Sequence, residues 1–163
     1  MIPTELRESL ERQLTHAVSP PELAVDVMMA LQGYYGYLSD EALEEAAGIL
    51  GMSTLELEGL ATFYDFIHRR PVGKYLITVC DSVVCWLHGH ESIVDYLSQA
   101  LGIQMGQTTS DGLFTLLPTS CIGACDRAPA MLVNGELLGP LTPAKLDEIL
   151  KSLKDRASAL PGR

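Results

Sequence analysis

Four cysteines stand in this chain of 163 residues, and all of them fall in two short clusters. Cys80 and Cys85 lie in TVCDSVVCWLHG (78–89), Cys121 and Cys125 in TSCIGACDRAP (119–129). Thiolates brought to one point repel, so they need a soft cation, and zinc or an iron–sulfur cluster suits them. A single zinc ion, about 2.3 Å from each sulfur, favours the tight C-x2-C knuckle. Here the spacings are C-x4-C and C-x3-C. A two-iron cluster is wider, and each pair can serve one of its irons. Spacing favours a cluster and leaves zinc open. The small residues Gly123 and Ala124 let backbone N–H groups approach the sulfurs, which stabilises a reduced, more negative cluster and raises its potential.

Other chemistries fit these residues less well. Structural disulfides need an oxidising compartment, for which nothing in the chain argues. A thioredoxin-type dithiol needs C-x-x-C at a helix start, and neither pair has it. His88 and His90 lie close to Cys85, but four cysteines complete a ligand set, so both histidines are expected to cap or line the next helix. His16 and His68 read as ordinary surface or helix residues, and Tyr34-Tyr35-Gly36-Tyr37 as an aromatic turn between helices. The chain has no G-x-G-x-x-G after a strand, no P-loop, and no nucleophile with a matched base. A cluster protein without a substrate pocket is expected to be an electron carrier or one station in a larger assembly.

The elements that must position these thiols change type near Pro71. Before it the apolar spacing is helical: Leu6, Leu10 and Leu14 make one stripe, and Leu23, Val27, Ala30 and Leu31 a second that opens at Ser19-Pro20-Pro21-Glu22 and fades at Gly33. Ser39 is placed to cap a helix reaching about Leu50, with Leu38 and Leu43 as a hydrophobic staple and Gly51 as its stop. Ser53 and Glu56 form a capping box, Met52 and Leu57 its staple, and this helix is expected to run towards Arg70 before Pro71 forbids more. Its apolar Leu55, Leu60, Phe63 and Phe66 and basic end suggest a face for a partner, against the plainer reading that they fill the helical core.

After Pro71 the period shortens. KYLITVC (74–80) suits a buried strand, and GHESIVDYLSQALG (89–102) a helix ended by Gly102. MGQTTS, Asp111-Gly112 and LFTLLPTSC (113–121) read as strand, turn, strand; Asn134-Gly135 joins AMLVN and ELLGP in a hairpin; and Thr142-Pro143 starts a last helix, PAKLDEILKSLKD. The tail ASALPGR reads as frayed. The order β-α-β-β-β-α points to a thioredoxin-like α/β sandwich. Cys80 then ends one strand and Cys121 another, its expected parallel neighbour across a right-handed crossover. Open α/β sheets place their ligands at the carboxyl ends of such strands, with Cys85 and Cys125 in loops that curl back.

Composition limits the partners. A formal charge of −10, with pI about 4.7, repels phosphate backbones and argues against nucleic acid. Apolar residues make up 47% of the chain, ample for a core. No run approaches the roughly 18 apolar residues of a membrane span. The acidic amphipathic start does not read as a targeting signal. The expectation is a cytoplasmic protein.

CDSVVC, GQTTSDGLFTLLPTSCIGACDRAPAM and EGLATFYDF together resemble the family of the E subunit of bacterial NADH:quinone oxidoreductase, respiratory complex I. That family includes equivalent subunits of NAD-linked hydrogenases and formate dehydrogenases, and the resemblance spans nearly the whole chain. It implies an α+β/α/β architecture: a small helical domain over 1–71, then a thioredoxin-like [2Fe–2S] ferredoxin domain over 72–163. It also implies that Cys80 and Cys85 hold one iron and Cys121 and Cys125 the other. The implied partner is the flavin-bearing subunit, where NADH reduces FMN and single electrons are exchanged with the cluster. The implied place is off the main path to quinone, among the iron–sulfur subunits of a peripheral arm on the cytoplasmic side of the inner membrane. Holding one electron briefly there would keep half-reduced flavin from reacting with oxygen. Ser120 stands where relatives often carry another polar or acidic residue or a further cysteine, so no potential is transferred. For thiolate-ligated ferredoxins of plant type it is roughly −400 mV.

Overall fold

The computed structural model describes residues 2–159. The chain divides into two compact units, Met1–Pro71 and Val72–Arg163.

The first unit is helical: α1 (Thr4–His16), a single 3-10 turn (Pro20–Leu23), α2 (Ala24–Tyr35), α3 (Asp40–Leu50) and α4 (Thr54–Phe63). Its core is laid along α2 and α3. Val27, Met28 and Leu31 on the former are buried with Ala42, Leu43, Ala46, Ala47 and Leu50 on the latter. The caps sit where the sequence puts them. The Ser39 hydroxyl accepts from the Ala42 N–H at 3.2 Å, and Ser53 and Glu56 close a reciprocal box. Each satisfies N–H groups that a helix start leaves orphaned. Glu45 pins α1 to this core by accepting from the Ile2 N–H, an Arg7 guanidinium N–H and the Tyr35 hydroxyl at 3.1, 3.0 and 2.9 Å. Burial pushes its carboxyl up, but these donors outweigh it and hold the group below the usual carboxylate range.

Two helix ends differ from expectation. The second helix passes through Gly33 to Tyr35 and stops at Gly36, whose φ of 86° gives the left-handed cap. The fourth ends at Phe63, well before Arg70, because tertiary bonds compete successfully for the backbone that follows. Gln32 accepts from the His68 N–H at 2.6 Å and donates to the Phe66 carbonyl at 2.9 Å. The Leu38 N–H donates to the His68 carbonyl at 2.8 Å. Arg69 bonds Glu58, Asp40 and the Leu38 carbonyl, and Ile67 is buried. Leu60 packs against the core, whereas Leu55, Phe63 and Phe66 stay 80%, 77% and 43% exposed.

The second unit holds β1 (Tyr75–Cys80), α5 (Val83–Leu87), α6 (His90–Leu101), β2 (Phe114–Thr119), a 3-10 turn (Cys125–Arg127), β3 (Met131–Val133), β4 (Glu136–Leu138) and α7 (Pro143–Ala159). The four-stranded sheet has the order β2-β1-β3-β4. Strand β1 pairs in parallel with β2, Tyr75 opposite Phe114 through Cys80 opposite Thr119, and antiparallel with β3. Ile77, Val79, Phe114, Leu116 and Met131 from the sheet share a core with Ile93 and Leu97 of α6 and Leu146, Leu150 and Leu153 of α7. The hairpin turn places Asn134 and Gly135 at φ 48° and 84°, the pair of left-handed residues a tight hairpin requires. The Asn134 amide also accepts from the Leu76 N–H at 2.7 Å and donates to the Lys74 carbonyl at 3.0 Å, fastening the turn to β1.

Three expectations change here. MGQTTS does not form a regular strand; it lies beside β2 with one isolated bridge, Thr108 to Thr115, and backbone bonds from Gly106 and Thr109 to the Leu116 and Phe114 carbonyls at 2.7 and 2.8 Å and from Leu116 to the Gln107 carbonyl at 3.0 Å. Gly106 at φ 89° and the Thr109–Gly112 turn bend its backbone away from longer pairing. A five-residue helix, α5, too short to show a period, occupies what reads as a loop after Cys80. The last helix continues past Asp155 to Ala159, and the rest of the tail read as frayed, 160–163, lies outside the described residues.

The packing of α4 makes a direct prediction. Leu57 is fully buried and Leu55 is 80% exposed, so Leu57→Ala lowers stability by about 2–5 kcal/mol. Leu55→Ala stays within roughly 0.5 kcal/mol of the unmodified protein. Urea denaturation checks both.

Candidate metal centre

Strand β1 delivers Cys80 to the carboxyl end of the sheet. The Asp81 N–H then donates to the Thr119 carbonyl at 2.9 Å, extending the parallel ladder one step beyond the strand. That bond sets the Asp81–Ser82 segment beside the Thr119–Cys121 segment. After Ser82 the chain turns into α5, whose inward face carries Cys85, so this cysteine sits on a helix and not in the expected loop. The outward side chains Val83, Trp86 and Leu87 are 71%, 55% and 70% exposed.

Ala130 holds the inner pair from both sides. Its carbonyl accepts from the Cys80 N–H at 3.1 Å, and its own N–H donates to the Cys85 sulfur. Cys80 and Cys85 are each only 3% exposed and pack with Ala124 and Ala130. Cys121 and Cys125 are exposed. Gly123, at φ 75°, takes a left-handed turn open to glycine at no steric cost, and its N–H donates to the Cys121 sulfur. Ser82 lies beside the same sulfur.

The electrostatics follow from these contacts. Burial pushes the Cys85 thiol up against the lowering effect of the Ala130 N–H, and Cys80 adds to the rise. The Gly123 N–H and then Ser82 hold the Cys121 thiol below its ordinary value. Lost hydration and then the neighbouring Cys121 push Cys125 up, with Cys80 and Asp126 contributing. All four sulfurs therefore belong to one electrostatic group. Among the described residues, no three His, Cys, Asp or Glu side chains close round a single ion position. The thiols stand as a buried inner pair, Cys80 and Cys85, and an exposed outer pair, Cys121 and Cys125.

The histidines stay apart from this group. His88 is exposed at the end of α5. His90 opens α6, its Nε2 lying 3.7 Å from Asp81. His16 ends α1 and is exposed; His68 is partly buried, and burial lowers its pKa against the opposing charge of Asp65.

Residues 10–154 match the family described as thioredoxin-like [2Fe–2S] ferredoxin. The chain belongs to the thioredoxin-like [2Fe–2S] ferredoxin family. Its similarity to the E subunit of NADH-quinone oxidoreductase of Pseudomonas aeruginosa is 40% identity over 146 residues, 90% of this chain and 88% of that protein. The E subunit of the Escherichia coli strain K12 enzyme is likewise 40% identical over 148 residues, 91% and 89% of the two chains. An E subunit of Rhizobium meliloti, the one numbered 2, is 37% identical over 96% of this chain and 98% of that one. Among solved structures, a chain of an NAD+-reducing [NiFe]-hydrogenase in the air-oxidised state superposes with TM-score 0.69 at 30% identity, covering 80% of this chain and 23% of the hydrogenase chain.

The donor set fits the cluster that the family implies. Four cysteines converge in two pairs, backbone N–H groups from Gly123 and Ala130 already point at sulfur, and the small Ala124 and Ala130 pack beside the inner pair. Sequence reasoning finds the cysteines and the use of Gly123, but not Ser82 or Ala130, because neither residue type announces a contact to sulfur.

Gly139 braces the segment that carries these contacts. A Cβ there would overlap the Arg127 carbonyl and lie 3.2 Å from the Ala130 Cβ, whereas one at Gly48 meets nothing. Gly139→Ala therefore lowers stability in urea by about 1–3 kcal/mol, and Gly48→Ala in α3 leaves it unchanged or raises it by up to about 1 kcal/mol.

Proposed function

We propose that this chain is an electron-transfer subunit of an NADH-oxidising complex, NADH:quinone oxidoreductase, exchanging single electrons with the FMN of a partner subunit that binds NADH. The observation that carries the reading is the convergence of two cysteine pairs, one buried and one exposed, at the carboxyl end of a parallel strand pair. When bound, a [2Fe–2S] cluster accepts and returns one electron at a time. Cys80 and Cys85 would hold one iron and Cys121 and Cys125 the other. The inner pair excludes water on one side; the outer pair faces solvent, so a partner's flavin has its shortest approach over Cys121 and Cys125. The N–H groups of Gly123 and Ala130 offset negative charge on the sulfurs. Apolar side chains left in solvent on α4 and on α5 fit a chain that works against protein partners.

The host assembly reads as complex I in preference to a hydrogenase because the relatives from NADH-quinone oxidoreductase align over nearly their full length, whereas the hydrogenase chain is matched over 23%. On this reading the other iron–sulfur subunits of the peripheral arm are its neighbours, on the cytoplasmic side of the membrane. No described helix is long and apolar enough to cross a membrane. A dehydrogenase of hydrogen or formate would be named by the adjacent genes.

Anaerobically prepared protein is expected to contain about two irons and two acid-labile sulfides per chain and to show an S = 1/2 resonance on reduction. Stoichiometric zinc without sulfide would instead assign a zinc-stabilised interaction module. Ser in place of any of Cys80, Cys85, Cys121 or Cys125 disturbs the visible absorption of the cluster, and His88→Ala leaves it intact. Loss of that absorption in His88→Ala contradicts the ligand set.

A further inference from the structure

Lys145 runs against a rule of helix ends. It is the third residue of α7, where the partial positive charge of a helix start disfavours a cation, and no acidic side chain shares its first turn. The Thr142 hydroxyl caps the helix by accepting from the Lys145 N–H at 3.3 Å. The ammonium instead reaches back to the loop before the helix, donating to the Gly139 carbonyl at 3.1 Å and the Pro140 carbonyl at 3.3 Å. Bonds from an ionised donor are stronger than neutral ones, and the backbone that carries this one is anchored by its neighbour Leu146, fully buried in the sheet core. The loop in turn meets the segment behind the buried cysteines. The Leu141 N–H donates to the Pro129 carbonyl at 2.9 Å, and Gly139 lies so close to Arg127 and Ala130 that it has no room for a Cβ. Ala130 is fully buried, packs with Cys80 and Cys85, and accepts from the Cys80 N–H at 3.1 Å. Three hydrogen bonds, joined through the adjacent residues Pro140 and Leu141 and then Pro129 and Ala130, therefore run from the Lys145 ammonium to Cys80.

We propose that Lys145 is a positioning residue for the cysteine edge: by gripping the Gly139 and Pro140 carbonyls it keeps Ala130 in place behind Cys80 and so slows loss of the cluster. The second half of the inference, cluster retention, rests on the proposed [2Fe–2S] ligation; the first half concerns hydrogen bonds of the chain itself. Lys145 acts through the loop and Ala130, at a distance in sequence from all four cysteines. Without the ammonium, the loop carbonyls lose their donor, and the Leu141 and Cys80 amides open to solvent more often. Local opening of this kind is what hydrogen exchange reads. A ligand whose backbone opens more often also gives up its metal to a competitor more readily, because binding and local folding are coupled.

The test compares Lys145→Met, which keeps the apolar stem and removes the charge and its donors, with Lys145→Arg, which keeps a charged donor, in the full chain. Hydrogen exchange is followed by mass spectrometry over the peptides that contain Cys80 and Leu141, with the peptides of α6 as the internal reference. Release of iron to EDTA is followed anaerobically in the same samples. In Lys145→Met the two peptides are expected to exchange about three- to tenfold faster, the effect of losing one or two net hydrogen bonds, while α6 is unchanged, and iron is expected to leave faster by a similar factor. Lys145→Arg is expected to return both rates to within about twofold of the unmodified protein, as a second charged donor to the same carbonyls. Unchanged exchange in Lys145→Met, or a rise shared equally by α6, overturns the proposal, since the second would mark general loss of stability. So does an Arg variant that behaves like Met, or faster local exchange with no faster release of iron. Unmodified protein that assembles no cluster overturns the ligation reading, and retention with it; the exchange rates still decide whether Lys145 holds the edge.

Discussion

The hydrogen bonds on the two sides of β1 are the constraint on which the cysteine edge depends. On one side the parallel register sets Cys80 opposite Thr119, and the Asp81 N–H adds one further rung to the Thr119 carbonyl. On the other side β3 pairs antiparallel, and the Ala130 carbonyl just before it takes the Cys80 N–H. A slip of one residue in either register would turn Cys80 to the opposite face and part it from Cys121. Buried Ile77 and Val79 oppose such a slip, because the core side of β1 admits only that alternation. The placement of Cys80 beside Cys121 is thus specified by the packing of a short apolar strand.

The same geometry separates the two cysteine pairs by environment. Cys80 and Cys85 lie where charge is poorly solvated, while Cys121 and Cys125 meet water. Two of the thiols are held back from ionising by their neighbours: Cys80 adds to the rise that burial gives Cys85, and Cys121 and Cys80 add to the rise of Cys125. A bound [2Fe–2S] cluster would offset this charge, and its binding would then be coupled to the folding of this edge. The N–H groups of Gly123 and Ala130 already point at the sulfurs and need little rearrangement when charge arrives.

Much of this is legible in the sequence where a local rule decides the structure. The caps at Ser39 and Ser53 and the Asn134-Gly135 hairpin obey rules that span a few residues, and the structure forms all three. The parallel pairing that brings Cys80 beside Cys121 follows from the change of period and the usual crossover. Where tertiary contacts decide, the sequence misleads. The end of α4 depends on Gln32, Leu38 and Arg69, distant in sequence. The short α5 has too few residues to show a period. MGQTTS resembles a strand because its threonines suit one, yet Gly106 bends the path. Ser82 gives no notice of its contact to sulfur because serine before a helix is ordinarily its cap.

On the proposed reading, two cysteine pairs at the end of β1 and β2 hold one two-iron, two-sulfide cluster. Iron-edge X-ray absorption on anaerobically prepared protein tests it most directly, since it sees the atoms bound to the metal. A first shell made of sulfur alone and, behind it, an iron neighbour are expected. Nitrogen or oxygen in the first shell, or iron with no second iron beside it, would contradict it.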